Sequence, residues 1–247
     1  MSTARTLGAL LLFGTPGVVH GQGASVPIRD NSFLIEEAYN QDRNVVQHIG
    51  TFTDTRTAVW AASFTDEWPL GSVRDQVSVG FTMVDNGAAG EFDAFAFNYR
   101  RQLVGDPDAA LVVSPRLSFY GNIGSSVRTP FAMQLNVPVT AVLSGALVSH
   151  WNLGGTVGAG GEAAVLNAGA SVVWLARPWM NFLVEGLYLG ASGAAPIYTV
   201  SPGVRWAFNL GAVQVVPGIA FPLDVQQRGD DALFLYLSFE HPFGPTD

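Results

Sequence analysis

From residue 44 onwards, apolar and polar positions alternate with a period of two in segments of roughly 9 to 13 residues, each bounded by glycine, aspartate, asparagine or proline. Twelve such segments are expected as strands: 44–54, 57–68, 76–85, 91–103, 109–121, 130–143, 145–157, 163–176, 179–190, 197–208, 211–222 and 232–243. Val77, Val79, Phe81 and Met83 share one face of their strand and Gln76, Ser78, Gly80 and Thr82 the other. Leu111, Val113, Leu117 and Phe119 likewise oppose Ser114, Arg116 and Ser118. In the last segment Phe234 and Tyr236 blur the alternation of Leu233, Leu235, Leu237 and Phe239. No 3.6-residue stripe of useful length interrupts the series, so the chain is all-β.

Composition decides which face is buried. Charged residues make up 13% of 247, about half the share of an ordinary soluble domain. A soluble sandwich would carry abundant charge on its polar faces, whereas here those faces hold glycine, serine, amides and isolated arginines. A transmembrane antiparallel barrel inverts that arrangement: apolar faces meet lipid, small polar side chains line the interior, and charges move to the turns. Asp54, Asp75, Asp85, Asp106, Asp108, Glu162, Asp224, Asp230 and Asp231 all fall in or beside expected turns. A net charge of −8 without a single lysine argues against nucleic acid as a partner. With no cysteine there is no disulfide and no thiolate metal site.

Residues 1–21 read as a Sec-type signal peptide, with Arg5 ahead of the apolar run Leu7 to Val19 and small residues before the cleavage point after Gly21. Residues 22–43 then form an N-terminal segment, 44–243 the barrel and 244–247 a tail. Within the segment, Phe33, Ile35, Glu36, Glu37 and Tyr39 are expected to close or narrow the periplasmic mouth. A two-turn helix begun by Asp30 or Ser32 would be too short to persist undocked, and an N-terminal strand or an arm fits the same residues.

Inward faces carry the candidate chemistry: Asn98, Arg100, Arg116, Gln134, Asn136, His150, Asn152, Glu185, Arg205 and Gln214 are expected to line the lumen. Turn positions place Arg116 opposite Gln134, Arg205 opposite Gln214, Asn136 opposite Asn152 and Glu185 opposite Ser201. Such a lumen either guides a small solute or is filled by its own side chains. Catalytic roles are not expected, because Ser149 and His150 point to opposite faces of a strand. Metal and cofactor sites are not expected either, since His48, His150 and His241 lie on distant segments. Pro115, Pro138, Pro202 and Pro217 stand inside expected strands, where each removes a ladder donor and should mark a bulge.

The stretches DNSFLIEEAYNQ (30–41), NVVQHIGTF (44–52), DEWPL (66–70), NYRRQL (98–103), QLNVPV (134–139) and HWN (150–152) make the chain similar to the MetA-pathway phenol-degradation group of bacterial outer-membrane proteins. That resemblance implies a barrel in the cell outer membrane and a transporter-like role. The end of the last strand, Phe239 to Phe243, resembles the aromatic-terminated signal read by the barrel-assembly machinery, departing from it in that Gly244 to Asp247 follow. Expected partners are therefore the outer-membrane bilayer, that machinery and a small-molecule solute. The expected activity is passive passage of a small aromatic or anionic solute. A structural barrel with a filled lumen and an outer-membrane hydrolase are the alternatives.

Overall fold

The computed structural model describes residues 28, 31–56, 59–85, 90–106, 109–122, 131–159, 164–226 and 231–244. The signal-peptide expectation for 1–21 and the tail beyond Gly244 lie outside them. Its strand segments are β1 (Val45–Thr55), β2 (Trp60–Leu70), β3 (Ser72–Asp85), β4 (Gly90–Arg101), β5 (Leu111–Val113), β6 (Arg116–Asn122), β7 (Phe131–Ser144), β8 (Leu147–Gly158), β9 (Val165–Arg177), β10 (Met180–Ala191), β11 (Ile197–Trp206), β12 (Phe208–Leu210), β13 (Val213–Ala220), β14 (Leu223–Asp224) and β15 (Ala232–Pro242). Three pairs, β5 with β6, β11 with β12 and β13 with β14, are single staves interrupted near Pro115, Ala207 and Phe221-Pro222.

Each stave pairs antiparallel with the next, and the last pairs with the first from Val45↔Pro242 to Thr55↔Ala232. The result is a closed barrel of twelve staves with no free edge. Closure satisfies every ladder internally, which is what allows a sheet to sit in lipid. Alternation then sorts the faces as expected. Leu153 and Trp151 are 67% and 54% exposed on the outside, while Asn152 between them is 8% exposed within.

The in-strand prolines behave differently from the expectation. Only Pro115 coincides with a break in its own stave. Pro138, Pro202 and Pro217 stay in register with Asn152, Val184 and Leu237. Each missing donor instead faces an interruption in the neighbouring stave. The Pro138 carbonyl accepts from the Ser114 N–H at 3.1 Å, beside the β5–β6 break, and the Pro202 carbonyl accepts from Phe221 at 3.0 Å, beside the β13–β14 break. Pro217 lies across from Trp206-Ala207, where β11 gives way to β12. Two irregularities thus share one unpaired position instead of creating two.

Tight turns at Gly71, 145–146, 178–179 and 211–212 lie at the end of the barrel that holds the start of β1 and the finish of β15. Gly211 adopts φ +66°, a backbone open to glycine that completes the β12–β13 turn. The connections at the other end, 159–164, 192–196 and 225–231, are longer. One connection breaks this rule: 102–110, at the terminus end, is long.

Candidate functional site

Residues 31–43 run inside the barrel. They enter at the terminus end, where Ile28 N–H donates to the Pro178 carbonyl at 2.8 Å. From there they sweep along the inner wall past β11, β10, β9, β8, β7, the β5–β6 break, β4 and β3 before joining β1. No strand pairing involves them.

The short helix is the expectation that fails. Residues 31–43 form bends and no helix, because their backbone donors are taken by the wall. The carboxylate of Glu185, on β10, accepts from three consecutive N–H groups through Oε1: Phe33 at 3.0 Å, Leu34 at 2.7 Å and Ile35 at 3.0 Å. Asn152 holds Glu36 both ways, accepting from its N–H at 2.9 Å and donating to its carbonyl at 2.7 Å. Ala38 donates to Thr140 Oγ1 at 2.9 Å and its carbonyl accepts from Ser114. Gln41 N–H donates to Gln76 Oε1 at 2.7 Å. A backbone satisfied by side chains at this density has no need of internal helical bonds.

Two arginines fix the ends of this path. Arg205 donates to the Asn31 carbonyl, and its guanidinium lies 5.1 Å from the Tyr236 ring centre. Arg100, only 3% exposed, donates to Asn40 Oδ1 at 2.9 Å and to the carbonyls of Glu37 and Tyr39. Phe33 packs on Phe234 and Tyr236, with ring centres 5.5 and 5.3 Å away. Gly203 and Gly218 make room for it, since a Cβ on Gly218 would come within 2.5 Å of the ring. The residues that blurred the alternation of the last strand are therefore the seat of this side chain.

Glu36 is the electrostatic centre. Its Oε1 lies 3.1 Å from Arg100 Nη1 and its Oε2 lies 2.9 Å from Arg116 Nε, while Asn136 Nδ2 donates to Oε2 at 2.9 Å. Beside it is a cavity of about 260 Å³, lined among others by Glu36, Glu37, Glu67, Arg100, Arg116 and Asn98.

The other sequence-derived candidates fall as follows. Asn98 and Gln134 accept from Arg116, each at 3.0 Å. His150 is fully buried, with Nδ1 2.8 Å from Thr140 Oγ1 and its ring edge against Tyr39. The Ser149 hydroxyl donates to the Ser171 carbonyl at 2.7 Å. Gln214 is not the cross-strand partner of Arg205 and instead donates to Asn209 Oδ1 at 3.0 Å, within its own hairpin.

Of the expected cross-strand pairs, Glu185↔Ser201 is observed. Arg116 faces Asn136, Asn152 faces Pro138, and Arg205 faces Gly218. The last error follows from the turn lying at 211–212, two residues beyond the position read from the sequence. Glu67, half-buried and accepting from Gln76 at 3.0 Å, escaped the reading because it lies near the end of its strand. Asn40 and Gln41 also engage the wall and were not singled out, although each is a polar residue within the apolar-punctuated 30–41 stretch, and Ser32, read as a helix start, bonds Ser171 instead.

No protein-family profile matches the chain, and no curated protein matches it. Among solved structures, a NanC porin aligns over 80% of this chain and 100% of its own at TM-score 0.59 and 6% identity. A KdgM porin in complex with disordered oligogalacturonate aligns over 81% and 99% at TM-score 0.53 and 7% identity. The COG4313 outer membrane channel from Pseudomonas putida F1 aligns over 83% and 98% at TM-score 0.53 and 11% identity. The chain thus has the fold of the outer-membrane barrels.

Proposed function

We propose that the chain is an outer-membrane channel closed by its own residues 31–43, and that it passes small carboxylate-bearing solutes, aromatic acids included, that displace Glu36 from Arg100 and Arg116. The observation that carries this reading is the Glu36 carboxylate held between two arginines and Asn136 at the edge of a cavity. A carboxylate in such a bed stands where the carboxylate of a solute could stand.

Charge supports the exchange. With the segment in place, Glu36, Glu37 and Glu67 outnumber Arg100 and Arg116 around the cavity. With the segment withdrawn, Glu36 and Glu37 leave and the same cavity wall keeps Arg100 and Arg116 against Glu67, so the balance there turns cationic. Anion preference therefore belongs to the open state. Size supports a single ring: an apolar cavity of about 150 Å³ admits benzene, and about 260 Å³ is present here before the segment moves. By the rule for even-stranded bacterial barrels, the mouth occupied by the segment is periplasmic.

Liposome swelling tests this. Wild-type barrels should admit benzoate faster than neutral sugars of similar size. Glu36→Ala should accelerate both, since a charge-assisted contact of about 1.5–3 kcal/mol holds the gate. The double variant Arg100→Ala with Arg116→Ala should abolish the preference for benzoate. Equal entry of benzoate and sugars into wild-type vesicles would overturn the proposed selectivity.

A further inference from the structure

His48 and His241 are separated by 193 positions, yet closure of the barrel sets them side by side, with His48 opposite Phe239 and Val46 opposite His241. The sequence separation that spoke against a joint role is removed by the pairing of the first strand with the last. Both rings project from the outer face near the terminus end, on the face opposite to Gln47 and Ser238, which are buried inside. Their Nε2 atoms stand 3.2 Å apart.

The tautomers make this approach informative. His48 Nδ1 lies 2.5 Å from Asp66 Oδ1, and His241 Nδ1 lies 3.2 Å from the Pro242 carbonyl. A carbonyl accepts only, and a carboxylate does so when ionised, so each Nδ1 carries the ring's hydrogen. Each neutral ring is left with a lone pair on Nε2, and the two Nε2 atoms crowd within 3.2 Å of each other. That arrangement is repulsive unless a positive charge lies between them.

We infer that His48 and His241 form a two-imidazole site for a divalent transition-metal ion of the zinc class, which staples the first strand of the barrel to the last. The spacing suits it. Two nitrogens each about 2.0–2.1 Å from one tetrahedral ion lie about 3.3 Å apart. Asp66 on the far nitrogen of His48 supplies the carboxylate that commonly orients a ligating imidazole. The His48 and Asp66 side chains are 21% and 36% exposed on the outer face near the terminus end, so the pair is not sealed within the wall. Among the described residues no group of three or more His, Cys, Asp or Glu side chains converges on one point. Water therefore completes the coordination, and the ligand set favours zinc, nickel or copper over magnesium or calcium.

The test uses the full-length barrel refolded in detergent. Calorimetric titration with zinc chloride should show one ion per barrel, and zinc should raise the temperature at which the folded band is lost on a heat-modifiability gel. Magnesium chloride should do neither. His48→Gln and His241→Gln should each abolish zinc uptake, and Asp66→Asn should weaken it about 10–100-fold. In wild-type protein with labelled imidazoles, zinc should move the resonances of two histidines and leave the others in place, a readout that needs no variant. Failure of wild type to take up zinc at millimolar concentration overturns the inference and leaves a shared proton as the charge between the rings. Unchanged uptake in the double His48→Gln, His241→Gln variant overturns it as well.

Discussion

Deleting residues 22–43 is expected to raise single-channel conductance in planar bilayers by on the order of tenfold or more, because a twelve-stave barrel lies between eight-stranded barrels filled by side chains and sixteen-stranded porins with aqueous channels. The deletion leaves the barrel itself intact, since none of its ladders uses the segment. The groups that now hold the segment, Arg100, Arg116, Arg205 and Glu185, would be solvated by water entering the lumen and so would not be stranded as buried charges. Folded protein should still migrate differently before and after boiling. An unchanged conductance from such folded protein would mean that the segment is not what limits passage.

The second large effect is expected from Glu185→Ala. The substitution removes one acceptor oxygen from three successive N–H groups. Hydrogen bonds to a charged group contribute about 1.5–3 kcal/mol each, and water reaching the freed donors recovers part of that. A net loss of about 3 kcal/mol from the docked segment corresponds to a roughly 100-fold shift toward its undocked state. Single-channel recordings should show this as a higher open probability, and hydrogen exchange should show it as faster loss of protection at Phe33, Leu34 and Ile35. Glu185→Gln, which keeps an acceptor oxygen, should fall between the two. Equal protection in wild type and Glu185→Ala would locate the hold on the segment elsewhere, at Arg100 first.

The barrel was legible in the sequence because period-two alternation and the shortage of charge are set by the bilayer, residue by residue and without long-range information. The twelve expected segments match the twelve staves to within a few residues at most ends. Glu185 was legible as an anomaly, an acid in mid-strand that had to find a partner. Its partner was not, because three backbone N–H groups leave no trace in side-chain identity. The conformation of 31–43 was hidden for the same reason: Phe33, Ile35 and Tyr39 fit a helix locally, and only the wall decides that their donors go outward. Register errors at Arg116 and Arg205 arose at turns whose ends differ by one or two residues, which moves the cross-strand partner by twice the error at most. The His48 and His241 pair was invisible for a topological reason, since a closed sheet makes neighbours of the two strands farthest apart in sequence.

Whether residues 31–43 must move for a solute to pass can be tested by locking them in place. Ser32 and Ser171 bring their hydroxyl oxygens within 2.6 Å of each other, one on the segment and one on β9. The chain has no cysteine, so the pair Ser32→Cys with Ser171→Cys introduces the only thiols. Benzoate entry into liposomes should fall to background once the disulfide has formed, as verified by mass, and return on reduction. Equal entry in the oxidised and reduced states, with the bond demonstrably present, would show that solutes pass around a stationary segment and would contradict the gating mechanism.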